Sequence, residues 1–188
     1  MAGLNRLAPT ARPPSLAGVP RLWLLQLPAP RDHAAAHRLL REILAHDLAC
    51  PAEAVPLRHA SSGAPEISGH PLGVSLAYAD EMLLLGVCHG AQIGVDLLRI
   101  QPVPDWHEVA TLYLGPQRCA ELAACPAARR DAAFARQWAE LEARSKCLGL
   151  GLQEHSPTHA ARLYAGDIQM LPVVCEQPWL TAALAIRR

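Results

Sequence analysis

Two rhythms of apolar positions run along the chain. Short continuous apolar runs, suited to buried strands, occur at Arg21–Leu27, Val74–Tyr78, Met82–Cys88 and Ile93–Ile100. Between the first and second, Leu39, Leu40, Ile43, Leu44 and Leu48 recur at helical spacing. Asp32 is placed to cap that helix and Pro51 to stop it. The segment from Leu57 to Gly73 is turn-rich. After the breaks at Pro102 and Pro104, helical spacing returns from Trp106 to Leu148, interrupted near Gly115-Pro116 and Pro126. The last helix of this stretch is expected to start near Arg130 and to end before Gly149 and Gly151. Beyond a polar loop, Arg162–Tyr164, Ile168–Leu171 and Leu180–Ile186 read as further strands. The order strand, helix, strands, helices, strands predicts an α/β (α+β) domain. A strand-and-helix element occurs in each half, which permits two similar lobes, although no exact repeat is present.

Composition narrows the function classes. Hydrophobic residues make up 51% of the 188 residues and charged residues 18%, a globular balance and not a disordered one. The formal net charge is +0, which excludes a broad electrostatic footprint for nucleic acid. No apolar run reaches the roughly 18 residues of a membrane span. The first twenty residues carry Arg6, Arg12 and several prolines without a continuous apolar stretch, so they read as a flexible N-terminal arm and not as a secretory signal. Six cysteines (50, 88, 119, 125, 147 and 175) form no C-x-x-C pair and read as reduced thiols of a cytoplasmic protein. His33 with His37, and His155 with His159, stand at i, i+4 spacing but lack a third ligand, and read as surface or loop features.

Two segments could carry chemistry. In Ile93-Gly94-Val95-Asp96 a lone carboxylate ends an apolar run, two residues after a glycine. Forty residues later Phe134, Trp138, Glu142 and Lys146 recur every four residues and so line one helical stripe. Its aromatic half would be buried, which brings Glu142 and Lys146 out at the edge of the core. On spacing alone a plain amphipathic helix fits too, with Glu142 and Lys146 as a surface pair worth about 0.2–0.5 kcal/mol and Asp96 as a turn residue.

The two segments together resemble the 4'-phosphopantetheinyl transferase superfamily of the larger single-chain type, whose signatures are G-[IV]-D-x-E and W-x-x-K-E-x-x-x-K. Gly63-Ala64-Pro65 is similar to the family's G-K-P turn, and Leu148-Gly149-Leu150-Gly151-Leu152 to its glycine-rich segment. Arg38-Leu39-Leu40-Arg41 falls in the early helix that carries basic residues in relatives. The resemblance implies two pseudo-symmetric lobes, about 21–100 and 101–188, with a cleft between them. It implies a monomer that binds coenzyme A and Mg²⁺ and transfers phosphopantetheine to a serine of an acyl or peptidyl carrier protein, releasing 3',5'-ADP. It implies no nucleic-acid or membrane partner.

Residue by residue, the resemblance makes Asp96 and Glu142 the metal carboxylates. Glu142 would also receive the serine proton, and Lys146 would stabilise or protonate the departing phosphate. Arg38 and Arg41 are candidates for holding the 3'-phosphate, with a solvated helix face as the alternative. Tyr78, in Ser75-Leu76-Ala77-Tyr78, stands where relatives carry the histidine of [NS]-x-S-H. Other positions depart as well. Leu98 replaces a third carboxylate, Leu141 the first lysine of the helix motif, and Ala64 the lysine of the turn. These departures leave a second reading open, a degenerate relative that binds a carrier protein without turnover. Asp80 is a candidate for a further metal oxygen or a plain turn residue, and Arg118, Arg129 and Arg130 for contacts to an acidic carrier helix.

Overall fold

The computed structural model describes residues 4–5, 18–61 and 63–188. Most of the expected N-terminal arm lies outside them. Two of its residues form a short strand, β1 (Leu4–Asn5), parallel to β2 (Arg21–Gln26). The chain continues through α1 (His33–Asp47), a hairpin of β3 (Leu57–His59) and β4 (Pro65–Ile67), then β5 (Leu72–Ala79), β6 (Met82–His89) and β7 (Gln92–Arg99). A helical stretch follows: α2 (Trp106–Val109), a π-helical turn at Ala110–Leu114, α3 (Pro116–Ala124), the long α4 (Ala127–Cys147) and α5 (Pro157–Leu163). Strands β8 (Ile168–Leu171) and β9 (Leu180–Arg187) complete it. This is a mixed α/β fold, as the element order predicts.

The strands form a sheet of order β1-β2-β6-β5 and another of order β7-β9-β8. In both, the strand before the helix pairs antiparallel with the last strand, which pairs antiparallel with the middle one. Side chains alternate across the first sheet. Trp23, Leu83, Leu85 and Val87 meet Ala36, Leu40, Ile43 and Leu44 of α1. Leu22, Ala77 and Leu84 point the other way, into a core shared with Ile93, Val95, Leu97, Leu184 and Ile186 of the second sheet. The sheets meet along β5 and β7. There the Ser75 hydroxyl accepts the Val95 N–H at 3.0 Å, and a Cβ on Gly73 would lie 2.2 Å from the Ala91 carbonyl oxygen.

The outer face of β7 is set by small residues. Ala135, Ala139, Ala143 and Cys147 recur every four residues on α4 and are buried. The last three face Gly94, its cross-strand partner Ala185, and Ala183, the partner of Asp96. The helix backbone therefore approaches the strand closely. A Cβ on Gly94 would stand 2.0 Å from the Ala143 carbonyl oxygen and 2.4 Å from the Cys147 nitrogen. That is the physical reason for a glycine two residues before Asp96, on the same face of β7.

Helix α1 is capped as expected, with Asp32 accepting the Ala35 N–H at 2.9 Å. The Arg162–Tyr164 segment is not a strand. It ends α5, which starts from the Ser156 cap and Pro157, and Leu163 is buried on one face of that helix. Helix α4 begins at Ala127, three residues before the expected start. The six cysteines are free. No helix among the described residues is long and apolar enough to cross a membrane.

The close approach at Gly94 predicts that Gly94→Ala destabilises the protein by about 1–3 kcal/mol, the usual cost of overpacking. Urea denaturation measures this as a lower midpoint. A midpoint equal to that of the wild type would show that the helix does not sit on the strand as described.

Candidate active site

The site grows out of the α4–β7 contact. Strand alternation puts Asp96 on the α4 face of β7, where it is buried, 7% exposed. One turn along the neighbouring α4 stripe from Glu142, Lys146 donates from Nζ to Asp96 Oδ1 at 2.7 Å. Asp96, Glu142, Lys146, Leu98, Trp138 and Tyr78 all line one cavity of about 410 Å³. The aromatic half of the stripe anchors it, with Phe134 buried and stacked on half-buried Trp138, whose centroid is 5.9 Å away.

Two carboxyls, the Lys146 ammonium and the Arg31 guanidinium line this cavity. Burial pushes the Asp96 carboxyl above the usual range, against the pull of Lys146. Burial also raises Glu142, and the neighbouring Asp96 charge raises it further, with Lys146 acting in the opposite sense. Both carboxyls thus sit beside the Lys146 ammonium in a partly desolvated space that Arg31 also lines. Such a donor set fits a hard divalent cation, which takes carboxylate oxygens and completes its shell with water or phosphate oxygens. No group of three metal-binding side chains is present among the described residues. Any cation here would therefore rest on Asp96 and Glu142 alone.

A second cavity, about 290 Å³, adjoins the first and shares His33, Leu76, Tyr78 and Lys146 with its lining. Gly63-Ala64-Pro65 and Gly149-Leu150-Gly151 line it, so both loops singled out in the sequence meet here. The Tyr78 hydroxyl lies 3.3 Å from His33 Nδ1, with the rings edge to face. His37 also lines this end, and its Nε2 lies 3.3 Å from His59 Nε2 on β3.

The remaining candidates sit elsewhere. Arg38 is exposed on α1 and lines neither cavity. Arg41 donates to the Val55 carbonyl at 2.5 Å. It lies behind His37 on the same helical stripe and close enough to act on its charge. Asp80 is paired with Arg99 at 2.6 Å. Arg118 is paired with Glu140 at 3.1 Å, Arg130 stacks over Trp106, and Arg129 is exposed. Leu141 is buried in a separate core with Leu114, Leu122 and Phe134. A larger cavity, about 490 Å³, lies at the other end of β5 beside Arg187 and Arg188, with no carboxylate in its lining.

Sequence reasoning passed over His33 and His37. Their spacing was visible, but only the fold shows that the stripe 33, 37, 41 faces β3 and β5. It also passed over the fact that Lys146 is the sole lysine of the chain, every other fixed cation being arginine.

Residues 92–172, which hold Asp96, Glu142 and Lys146, match the family model of the 4'-phosphopantetheinyl transferase superfamily. Over this segment the chain is similar to that superfamily. It is also 27% identical over 131 residues to a protein of Synechocystis sp. named "Putative 4'-phosphopantetheinyl transferase slr0495". That match covers 68% of this chain and 53% of the relative, so the chain spans about half the length of the curated relative it matches. The superfamily's paired signatures thus coincide with the two elements that build the carboxylate cavity.

Both carboxylates are raised, so without a cation the folded state favours their protonated forms. That contribution is full below the ordinary carboxylate range, about pH 4, and is lost as pH rises through the raised values. Glu142→Gln should therefore stabilise the metal-free protein near neutral pH, raising Tm by roughly 2–4 °C, and the gain should shrink as pH falls. Thermal melts in a chelator across pH check this. A Tm difference that is constant with pH would contradict the electrostatic picture.

Proposed function

We propose that the chain is a Mg²⁺-dependent transferase, a cytoplasmic monomer that moves the phosphopantetheine arm of coenzyme A onto a carrier-protein serine. The observation that carries this reading is the Lys146–Asp96 ion pair inside the cavity that Glu142 also lines. Asp96 and Glu142 would hold the cation, whose charge would offset that of the pyrophosphate. The cleft would lie between two lobes, about 21–100 and 101–188, with the β5–β7 seam joining them. The repeated strand order of the two sheets supports that division.

In the reaction the serine oxygen attacks the phosphorus that bears the pantetheine arm. The bond from that phosphorus to the 3',5'-ADP oxygen breaks, and the electron pair leaves with 3',5'-ADP. Glu142 takes the serine proton. Its raised affinity for a proton suits a general base near neutral pH. Lys146 meets the charge that develops on the leaving phosphate. Asp96 fixes the ammonium in place before substrate arrives, which spares reorganisation during the reaction. A lysine can also release a proton at this point, and a guanidinium cannot.

Leu98 in the carboxylate cavity, where relatives place a third carboxylate, favours the second reading, a carrier-binding protein without turnover. Intact-mass spectrometry of apo carrier proteins incubated with coenzyme A and Mg²⁺ separates the two. The transferase adds the phosphopantetheine mass. Glu142→Gln should lower kcat/KM by about 100-fold or more, the scale of a lost general base. Lys146→Arg should keep binding and lose kcat. Unchanged turnover in Glu142→Gln removes the base from Glu142. Thermal stabilisation by coenzyme A with no carrier modified, across a panel, supports the non-catalytic reading.

A further inference from the structure

Helix α1 and strand β3 meet in a pair of imidazoles that the transfer reaction does not use. His37 of α1 and His59 of β3 bring their Nε2 atoms to 3.3 Å from each other, with ring centroids 4.8 Å apart and planes tilted by 47°. We propose that these two nitrogens are a chelating site for a borderline divalent ion of the zinc class, apart from the carboxylate cavity. Such a site stands whether or not the chain is a transferase.

Distances separate two ways of pairing the rings. A straight N–H···N bond along both ring axes would set the centroids about 5.6 Å apart. One ion bonded to both rings at about 2.0–2.1 Å and the tetrahedral angle needs the nitrogens about 3.3–3.4 Å apart and the centroids about 5.2 Å apart. The observed nitrogen separation equals that tetrahedral bite. The observed centroid separation is shorter than either arrangement requires and closer to the chelate. The rings lean toward each other and do not meet end to end.

The donor type selects the ion. Imidazole nitrogen suits Zn²⁺, Ni²⁺ and Cu²⁺, whereas Mg²⁺ asks for an octahedron of oxygen ligands. No carboxylate lines the adjoining cavity. Two cations stand near, Arg41 and Arg58. The first is turned to the Val55 carbonyl, and strand alternation puts the second on the face of β3 opposite to His59. Among the described residues no group of three metal-binding side chains is present, so the protein supplies two ligands and water completes the shell. Closed structural zinc sites take four protein ligands, and an ion held by two is exchangeable.

Topology gives the ion a task. Strand β3 belongs to a two-stranded hairpin outside both larger sheets, and that hairpin brings Gly63-Ala64-Pro65 to the second cavity. His37 lines the cavity and His59 does not, so the ion sits at its rim, where it fastens the hairpin to α1. His59 is exposed and His37 partly so, which gives the ion an entry path.

Calorimetric titration of the full chain with Zn²⁺ and with Mg²⁺, without coenzyme A and at about pH 7.5, tests this. Zn²⁺ should show a site that weakens about tenfold or more in His37→Gln and equally in His59→Gln, with the double variant no weaker than either, because the bite needs both rings. Zinc taken up by the six free cysteines is a background common to all variants. His59→Cys, which offers a thiolate, should keep the site, and a purely structural role for His59 would not produce that rescue. Melts without zinc check that each variant is folded. A zinc affinity unchanged in both glutamine variants, or lost in only one of them, would overturn the inference. So would loss in His59→Cys, the same histidine-dependent response to Mg²⁺, or no zinc binding by the wild type.

Discussion

The distance between one helix and one strand decides whether this protein has a site at all. Asp96 and Lys146 are fifty residues apart in sequence and 2.7 Å apart in space. No loop brings them together. The small faces of α4 and β7 do, because Ala139 and Ala143 meet Gly94, Ala183 and Ala185 with little side chain between the backbones. Large residues at these positions would move α4 outward by an amount comparable to a side-chain diameter. A lysine could still follow a displaced strand by extending, since its stem is flexible. Glu142, shorter and one turn earlier, has less reach. The packing constraint therefore falls hardest on the second carboxylate.

The same closeness has an electrostatic cost. Packing that excludes water from β7 also desolvates Asp96, and burial is the largest influence on its carboxyl. An ion pair in such surroundings adds little net stability, because removing two charges from water costs about as much as their attraction returns. The arrangement is better understood as a positioning device. Lys146 pulls Asp96 toward its ionised form against burial, Asp96 holds the ammonium in one place, and Glu142 feels both charges.

Much of this was legible in the sequence, and the reasons differ from element to element. The apolar runs of β5, β6 and β7 announce buried strands because both faces of each sheet are covered. The four-residue recurrence of Phe134, Trp138, Glu142 and Lys146 announces a stripe because helical geometry fixes it locally. The small-residue stripe beside it, Ala135 to Cys147, is equally periodic but carries no sign of its partner. Only the second sheet shows that Gly94 is what it meets. Arg162–Tyr164 misled because three residues cannot distinguish strand from helix, while the decisive signal, Ser156-Pro157, lay before them. His33 and His37 were hidden for another reason. Histidine suits a surface, a core or a site, and i, i+4 spacing without a third ligand says nothing about what lies opposite. His59 is 22 residues further on, on a strand too short to be read.

The two cavities differ in the kind of cation that lines them. Lys146 is the chain's only lysine, and its ammonium stands on Asp96 at the α4–β7 contact. The space beside Asp96 is narrow because the helix and strand backbones approach so closely, and a compact ammonium on a flexible stem fits there more easily than a planar guanidinium. The second cavity is lined by the imidazoles of His33 and His37 and by no carboxylate. There α1 and β5 are tied by the contact between His33 and Tyr78, so the packing that seats the helix also fixes the side chains at that end.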